Sequence, residues 1–317
     1  MLLKYRHEHH AGNFADVHKH VTLLALLVAL QRKDKGFLYI ETHAGRGAYD
    51  LSGPSGESAS GIGRLEARRG SPDEEPSLAE EIRYYLDRVE LLRREHAQPR
   101  LYPGSPLLAA SELRPVDRAI FIEIDPPEAR ALERALSTQA QGSARPPQVA
   151  ESRAKTTLFA RDGAGPGRSP DPALKIHTAD GFARLRAALP PRERRGLTFI
   201  DPPYEESRQD FDRSRHAAAD ALRRFHTGVV AIWYPIKDER DTAAWHAALA
   251  AELDCPLLAA ELSLYPRDSR VALNGSGMLI LNPPYQIAER MAVWLPQLHA
   301  LLDSGHGGGT SLQTLRT

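Results

Sequence analysis

A short apolar segment that ends in an acid and two prolines constrains this chain more than any other feature. Residues 197–200 have strand-forming side chains, and Asp201, Pro202, Pro203 and Tyr204 follow them directly. This pattern predicts a strand with Asp201 at its carboxyl end, which is where open α/β sheets bind their ligands. Proline has a fixed φ and no N–H, so the turn is stiff and presents carbonyl oxygens. We expect this corner to hold an amino group.

Strand-like and helix-like segments alternate along the rest of the chain. Residues 16–31 have the apolar spacing of a helix that faces a core. Seven segments are predicted strands: residues 37–41, 118–125, 176–180, 197–201, 229–233, 257–265 and 278–282. The last two lie close together, which predicts an antiparallel hairpin at the far edge of a mostly parallel sheet. The predicted fold class is therefore α/β, with a seven-stranded, Rossmann-like sheet.

Composition divides the chain into four regions. They are an N-terminal motif with the first helix, strand and glycine loop (1–50), a helical insertion subdomain (51–100), the remainder of the domain (101–303) and a tail (304–317). Residues 137–172 are rich in Gln, Ser, Pro and Gly without periodicity, which predicts a flexible surface loop. The glycine-rich tail is expected to be frayed.

Charge and cysteine content exclude several classes of protein. Lys plus Arg and Asp plus Glu both number 41, so the formal net charge of zero gives no global indication of nucleic acid binding. The single cysteine, Cys255, excludes an internal disulfide framework and a cysteine-rich zinc site. The N-terminus lacks the apolar core of a signal peptide, and the longest apolar run, residues 21–30, is too short to cross a bilayer. We expect a cytoplasmic protein with no membrane partner.

Three features converge on the carboxyl edge of the predicted sheet. Gly45 and Gly47 form a turn after the first strand, Glu123 ends the second, and Asp180-Gly181 follows the third. Glycines let the backbone approach a ligand, a second-strand acid can accept both ribose hydroxyls, and a third-strand Asp can accept from an exocyclic amine. The order of these features resembles the class I S-adenosylmethionine-dependent methyltransferases.

The Asp-Pro-Pro-Tyr corner resembles the motif of amino-methyltransferases, whose acceptor is an exocyclic nitrogen of a base. The N6 lone pair of adenine is delocalised into the ring, so hydrogen bonds to Asp201 and to the Pro202 carbonyl would make that nitrogen more nucleophilic. Tyr204 would stack on the base, and Asp201 or solvent would take the surplus proton. An adenine held in this way must be single-stranded or flipped out of a duplex.

A second motif of the same kind, Asn282-Pro283-Pro284-Tyr285, ends the last predicted strand. If that strand is antiparallel to the others, Asn282 lies at the opposite edge of the sheet from the three cofactor features. We therefore predict a structural turn at Asn282 and a catalytic role for Asp201.

The N-terminus makes the resemblance more specific. The chain is similar to the RlmJ-type family, bacterial 23S ribosomal RNA adenine-N6 methyltransferases, almost from end to end. The segments that carry the resemblance are residues 5–20 (YRHEHHAGNFADVHKH), 42–45 (THAG), 102–106 (YPGSP), 179–182 (ADGF), 195–197 (RGL), 200–205 (IDPPYE) and 233–235 (WYP).

The resemblance implies roles for individual residues. S-adenosylmethionine would contact His20, His43, Ser105, Glu123 and Asp180-Gly181, in addition to Gly45 and Asp201 from the sheet-edge argument. Asp201 would be catalytic, and Tyr5, His7 and Lys19 would face the RNA. The substrate would be 23S ribosomal RNA, naked or incompletely assembled.

Several alternatives remain open at this point. A DNA adenine-N6 methyltransferase uses the same chemistry, although residues 51–100 are few for a separate target-recognition domain. A catalytically silent RNA-binding protein would keep the fold without turnover. The histidine-rich start could also be a metal site, but it lacks a completing ligand set, so no metal is expected. Arg192, Arg194 and Arg195 form a charge run that is either a solvated face or a contact to RNA phosphates.

Overall fold

The computed structural model describes residues 10–52, 57–69, 78–142, 172–205, 207–266, 269, 271, 273–303 and 305–317. Tyr5 and His7, which were predicted to face RNA, lie outside these residues. The strands are β1 (Leu38–Glu41), β2 (Ala48–Asp50), β3 (Leu101–Pro103), β4 (Arg118–Glu123), β5 (Ala173–Thr178), β6 (Gly196–Ile200), β7 (Val229–Ile236), β8 (Leu257–Ser263), β9 (Gly275–Leu281) and β10 (Gly309–Arg316). The helices are α1 (Phe14–Gln31), α2 (Glu57–Ser60), α3 (Ile62–Arg69), α4 (Glu80–Glu95), α5 (Ser105–Glu112), α6 (Pro126–Gly142), α7 (Gly181–Ala188), α8 (Ser207–Arg224), α9 (Glu239–Glu252) and α10 (Ile287–Leu302).

The main sheet has the strand order β10-β8-β9-β7-β6-β1-β4-β5. The five strands from β7 to β5 in that order are parallel, and β9 runs antiparallel to both β7 and β8. This arrangement confirms the α/β class and the predicted hairpin at the far edge. A separate pair, β2 and β3, closes the region that contains α2, α3 and α4.

Alternation along the strands separates two apolar cores, one on each face of the sheet. Phe199 and Ala231 belong to the core that contains α1, whereas Ile200 and Ile232 belong to the core on the opposite face. Since successive side chains of a strand point to opposite faces, the next residue after Ile200 points toward α1. That residue is Asp201.

Helix α1 crosses the face of the sheet that carries Asp201. Its N-cap is Asn13, whose side chain accepts hydrogen bonds from the N–H groups of Ala15 and Asp16 at 3.0 Å each. Within the described residues, α1 alone is long and apolar enough to span a membrane, but 83% of it is buried inside the protein. Its apolar surface is therefore used in packing, and its polar residues are buried with it.

The prediction of a frayed tail was wrong. Residues 309–316 form β10, which pairs antiparallel with β8 from Gly309 opposite Ser263 to Arg316 opposite Leu257. The described sheet consequently has eight strands and not the predicted seven. None of its side chains is fully buried, and only Leu312 and Leu315 pack against the cores. Main-chain hydrogen bonds to an edge strand therefore hold most of β10. Such pairing leaves almost no hydrophobic signal in the sequence.

Two other predicted regions can be compared with the described residues. The start of the predicted loop at 137–172 is helical instead, because α6 continues to Gly142; residues 143–171 lie outside the described part. Inside the predicted insertion, the described residues form α2, α3 and α4, in agreement with a helical segment. The interpretation of residues 51–100 as a separate subdomain stays a prediction.

Candidate active site

The loop after β1 is hydrogen-bonded to the strands on either side of β1, at the carboxyl edge of the sheet. The N–H of Thr42 donates to the carbonyl of Phe199 on β6 at 3.1 Å, and the N–H of Ala44 donates to that of Ile122 on β4 at 2.9 Å. The loop is thereby fixed between Glu123, at the end of β4, and Asp201, directly after β6. The predicted convergence of the glycine loop, Glu123 and Asp201 on one edge is confirmed.

Asp201 is bound by a buried lysine. The Nζ atom of Lys19 lies 2.7 Å from Oδ2 of Asp201 and 2.8 Å from Oδ1 of Asp16, and its side chain is only 4% exposed. Burial opposes the positive charge, but the carboxylates of Asp16 and Asp201 outweigh it and raise the pKa of Lys19 above its ordinary value. Lys19 is therefore charged. The predicted position of Lys19 facing the RNA does not agree with the structure, because α1 directs its side chain inward to Asp201.

A second buried acid, Glu41, ends β1 beside the same corner. Its carboxylate accepts hydrogen bonds from the hydroxyl groups of Ser105 and, at 2.9 Å, of Tyr39. Burial raises the pKa of Glu41 to about 8, although these two hydrogen bonds partly oppose the shift. Sequence reasoning missed this residue. The available signal was its position, since Glu41 ends the first strand as Glu123 ends the second.

Ser105, predicted to contact the cofactor, lies at the N-terminus of α5 and is 6% exposed. Its hydroxyl is engaged by Glu41. In this structure Ser105 therefore links α5 to the end of β1, and Glu41 controls the direction of its hydroxyl group.

Glu123 is fixed by two backbone groups. Its carboxylate oxygens accept the N–H groups of Gly45 and Asp125, each at 2.8 Å. Burial raises the pKa of Glu123 despite these bonds. His43 lies in the same loop, and the centroid of its ring is 4.8 Å from that of Phe182. Burial lowers the pKa of His43 to about 4, so this imidazole is neutral at pH 7. The structure places His43, Gly45 and Glu123 in one loop region.

Asp180 begins α7 as its N-cap. One carboxylate oxygen accepts from the N–H of Ala183 at 3.0 Å, and the other lies 2.7 Å from the guanidinium of Arg213. Burial works against the carboxylate, but these partners lower the pKa of Asp180. Each carboxylate oxygen has a second lone pair, so the predicted contact of Asp180 to an exocyclic amine stays a prediction. Arg213 was not identified from the sequence.

Gly181 brings α7 against the loop after β1. A Cβ atom at this position would lie 1.8 Å from the carbonyl oxygen of Thr42, so no other residue fits without movement of the backbone. The predicted proximity of Asp180-Gly181 to the glycine loop is therefore confirmed, with a steric reason.

His20 and Tyr204 are both more enclosed than predicted. His20 is 1% exposed and its Nδ1 lies 2.9 Å from the hydroxyl of Tyr102, on which its ring stacks. Its ring supports Tyr102 and is not open to a ligand. Tyr204 is 2% exposed, its hydroxyl donates to the carbonyl of Trp233 at 2.7 Å, and its ring packs against Phe211. The structure does not present Tyr204 as a stacking surface for a base.

The second proline motif lies at the opposite edge, as predicted. Because β9 is antiparallel to β7, Asn282 follows β9 at the amino ends of the parallel strands. Its amide donates to the carbonyls of His226 and Gly228 at 2.8 and 2.9 Å, and its φ of 51° is left-handed. Asn282 closes a turn and takes no part in the corner at Asp201.

The arginine run lies at the same distant edge. Arg195 precedes β6 and donates to the carbonyl of Leu30 at 2.5 Å and to that of Lys35. Arg192 donates to Glu193 at 3.0 Å. Asp201 is at the other end of β6, so these two arginines have structural partners away from the candidate active site.

The residues at the carboxyl edge fit a nucleoside cofactor. Gly45 and Gly47 have φ values of +61° and +76°, which glycine adopts without strain and which shape the loop beside Glu123. Glu123 and His43 border this loop, and Gly181 closes it from the side of α7. No group of three or more His, Cys, Asp or Glu residues in the described ranges is placed to hold a metal ion.

Comparison with known proteins identifies the family. A family model described as "Ribosomal RNA large subunit methyltransferase D, RlmJ" matches residues 34–156 and 168–314. Proteins named ribosomal RNA large subunit methyltransferase J from Haemophilus influenzae and Escherichia coli are each 34% identical over 98% of this chain and 98% of their own length. The crystal structure of protein LPL1258 from Legionella pneumophila, assigned to the family DUF519, has a TM-score of 0.76 at 29% identity and covers 96% of this chain and 98% of its own. The chain therefore belongs to the RlmJ family of ribosomal RNA large subunit methyltransferases.

Proposed function

We propose that this chain transfers the methyl group of S-adenosylmethionine to the N6 amino group of an adenine in 23S ribosomal RNA. The observation that carries this proposal is the position of Asp201. It lies on the sheet edge that also holds the glycine loop and Glu123, and it is fixed by Lys19 at 2.7 Å. The family assignment supports ribosomal RNA as the substrate.

The acceptor amine would be held by two oxygen acceptors at the corner. Lys19 engages Oδ2 of Asp201, so Oδ1 is the atom offered to one N6 hydrogen, and the carbonyl of Pro202 would accept the other. These bonds draw the nitrogen lone pair out of conjugation with the ring. They also orient the nitrogen in line with the methyl donor, and such positioning supplies much of the rate enhancement in a two-reactant transfer.

The transfer is balanced without a covalent enzyme intermediate. S-adenosylmethionine would supply an activated methyl group: its bond to sulfur would break as the new bond to N6 forms, and the sulfur would keep the electron pair and leave as S-adenosylhomocysteine. The surplus proton on N6 passes to Asp201 or to water. Lys19 keeps the carboxylate of Asp201 compensated throughout, since its ammonium is buried between two acids.

The substrate would be naked or incompletely assembled RNA in the cytoplasm. An adenine amine can reach a carboxylate that is only 12% exposed when the base is unpaired or extruded. In an assembled subunit, most bases are paired or covered. The candidate cofactor residues are His43, Gly45, Ser105, Glu123, Asp180, Gly181 and Asp201.

One experiment tests the proposal against its alternatives. The protein is incubated with tritiated S-adenosylmethionine and, separately, with 23S RNA fragments, assembled large subunits and DNA that contains unpaired adenine. We expect label only on RNA, at N6 of one adenine, and more on naked fragments than on subunits. Label on DNA would identify a DNA methyltransferase. RNA binding without label on any substrate would identify a silent RNA-binding protein.

A further inference from the structure

Trp233 lies beside Asp201 on the same side of the sheet. Strands β6 and β7 are parallel, and Ile200 is paired with Ile232. The next positions, Asp201 and Trp233, are therefore adjacent across the two strands. Residues paired in register point to the same face, and for this pair that face carries α1.

Lys19 connects the two residues. Its ammonium lies 2.7 Å from Oδ2 of Asp201 and 5.4 Å from the centroid of the Trp233 ring. The cation thus contacts both the catalytic carboxylate and the indole. Lys19 therefore places the indole near the position that a base held by Asp201 would occupy.

The indole is held in one orientation. Its N–H donates to Oγ of Ser276 at 2.9 Å, and Nδ1 of His18 lies 2.9 Å from the same oxygen. Below the ring, the hydroxyl of Tyr204 donates to the carbonyl of Trp233, and the two rings meet edge to face at 5.6 Å. Side chains from α1, β9 and the Asp-Pro-Pro-Tyr corner therefore all restrain one aromatic ring.

Trp233 is only partly buried, unlike the other aromatic residue of the corner. Tyr204 is 2% exposed and enclosed by Phe211 and Trp233. A partly exposed indole, held rigidly beside the carboxylate that takes the amine, provides what base stacking requires.

We propose that Trp233 provides the aromatic surface on which the acceptor base stacks, and that Tyr204 supports Trp233 from behind. This proposal rests on the proposed function, since it assumes a base as the acceptor. A role limited to holding Lys19 by a cation–π contact is the competing explanation.

The test uses an RNA fragment that the wild-type protein methylates, with 2-aminopurine at the mapped target position. This isomer of adenine has its amino group on C2 and not on C6, so its retention in the site depends on stacking and not on Asp201. Stacking on an aromatic ring quenches the fluorescence of this base. We expect quenching with the wild type, most of it with Trp233→Phe, and none with Trp233→Leu. For unmodified RNA, Trp233→Leu should lower kcat/KM by about tenfold to a hundredfold. Its affinity for S-adenosylmethionine should be unchanged.

The readouts separate stacking from the support of Lys19. Full quenching by a folded Trp233→Leu protein would overturn the proposal, even if activity falls. If Trp233→Leu does not fold, Ser276→Ala replaces it in the test. This variant removes the hydrogen bond of the indole N–H but keeps the ring. Weaker quenching by Ser276→Ala than by the wild type supports the proposal, and unchanged quenching overturns it. Absence of methylation by the wild type, or methylation of a different kind of acceptor, would instead refute the proposed function.

Discussion

The ammonium of Lys19, in the second turn of α1, lies 2.7 Å from Oδ2 of Asp201, which is 182 residues later in the chain. Asp16 contacts the same ammonium at 2.8 Å and also accepts the N–H of Gly12 at 3.0 Å. The start of α1 and the Asp-Pro-Pro-Tyr corner therefore form one buried charged cluster. This cluster joins the region of the N-terminal motif to the proposed reaction centre.

Replacement of Lys19 by Met should impair both stability and turnover. The carboxylates of Asp16 and Asp201 would lose their shared cation, and breaking a buried ion pair costs about 3–5 kcal/mol. Chemical denaturation measures the first effect and initial methylation rates the second. The matched control is Lys33→Met, because Lys33 is exposed on the surface after α1. Wild-type stability in Lys19→Met would show that the pair is not formed in solution.

Asp201→Ala and Asn282→Ala should have opposite effects, although both residues begin a Pro-Pro-Tyr motif. Asp201→Ala should abolish methyl transfer, since the acceptor for the amine is lost. Asn282→Ala should retain activity but lower the free energy of unfolding by about 1–2 kcal/mol, because two carbonyls lose a donor and alanine is strained at positive φ. A tritiated-methyl assay with denaturation curves measures both. The reverse pattern of activities would show that the reaction centre is misplaced.

Glu41→Gln should change how stability depends on pH. The pKa of Glu41 is about 8 in the folded protein and 4.5 in the reference state. The folded state thus binds this proton more tightly, and the associated stability is complete below pH 4.5 and is lost as pH rises through about 8. Between about pH 5.5 and 7 the loss is about 1.4 kcal/mol per pH unit. Glutamine stays neutral, so the free energy of unfolding of the variant should rise relative to that of the wild type by this amount per pH unit. Urea denaturation at several pH values measures the difference. Parallel curves would contradict a neutral Glu41.

Gly181→Ala should weaken cofactor binding. The new methyl group would lie 1.8 Å from the carbonyl oxygen of Thr42, so α7 must move away from the loop that Gly45 and His43 share. We expect the affinity for S-adenosylmethionine, measured by calorimetry, to fall at least tenfold, which corresponds to about 1.4 kcal/mol. Gly309→Ala is the control, because nothing lies within 4 Å of a Cβ at that position. If the two variants bind S-adenosylmethionine with equal affinity, the contact between Gly181 and Thr42 does not shape the cofactor site.

Local pattern was sufficient for much of the site. Most of the predicted strands have a clear apolar run, and a polar residue at the end of such a strand lies at the edge of the sheet. The positions of Glu123 and Asp201 at one edge were therefore predictable. The antiparallel direction of the last predicted strand placed Asn282 at the opposite edge. The tail was missed for the converse reason, since β10 is held by the backbone edge of β8 and not by an apolar pattern.

The sequence by itself determined the order of seven of the strands along the chain, the chemistry at their ends and the family. The tertiary structure alone decided which side chains meet there. A lysine is usually expected at the surface, and the tyrosine of such a motif is expected to stack on a base. The packing of α1 and β7 instead buries Lys19 and Tyr204 beside Asp201 and leaves Trp233 partly exposed. Contacts between residues nearly two hundred positions apart depend on how helices and strands pack. No local pattern in the chain encodes that arrangement.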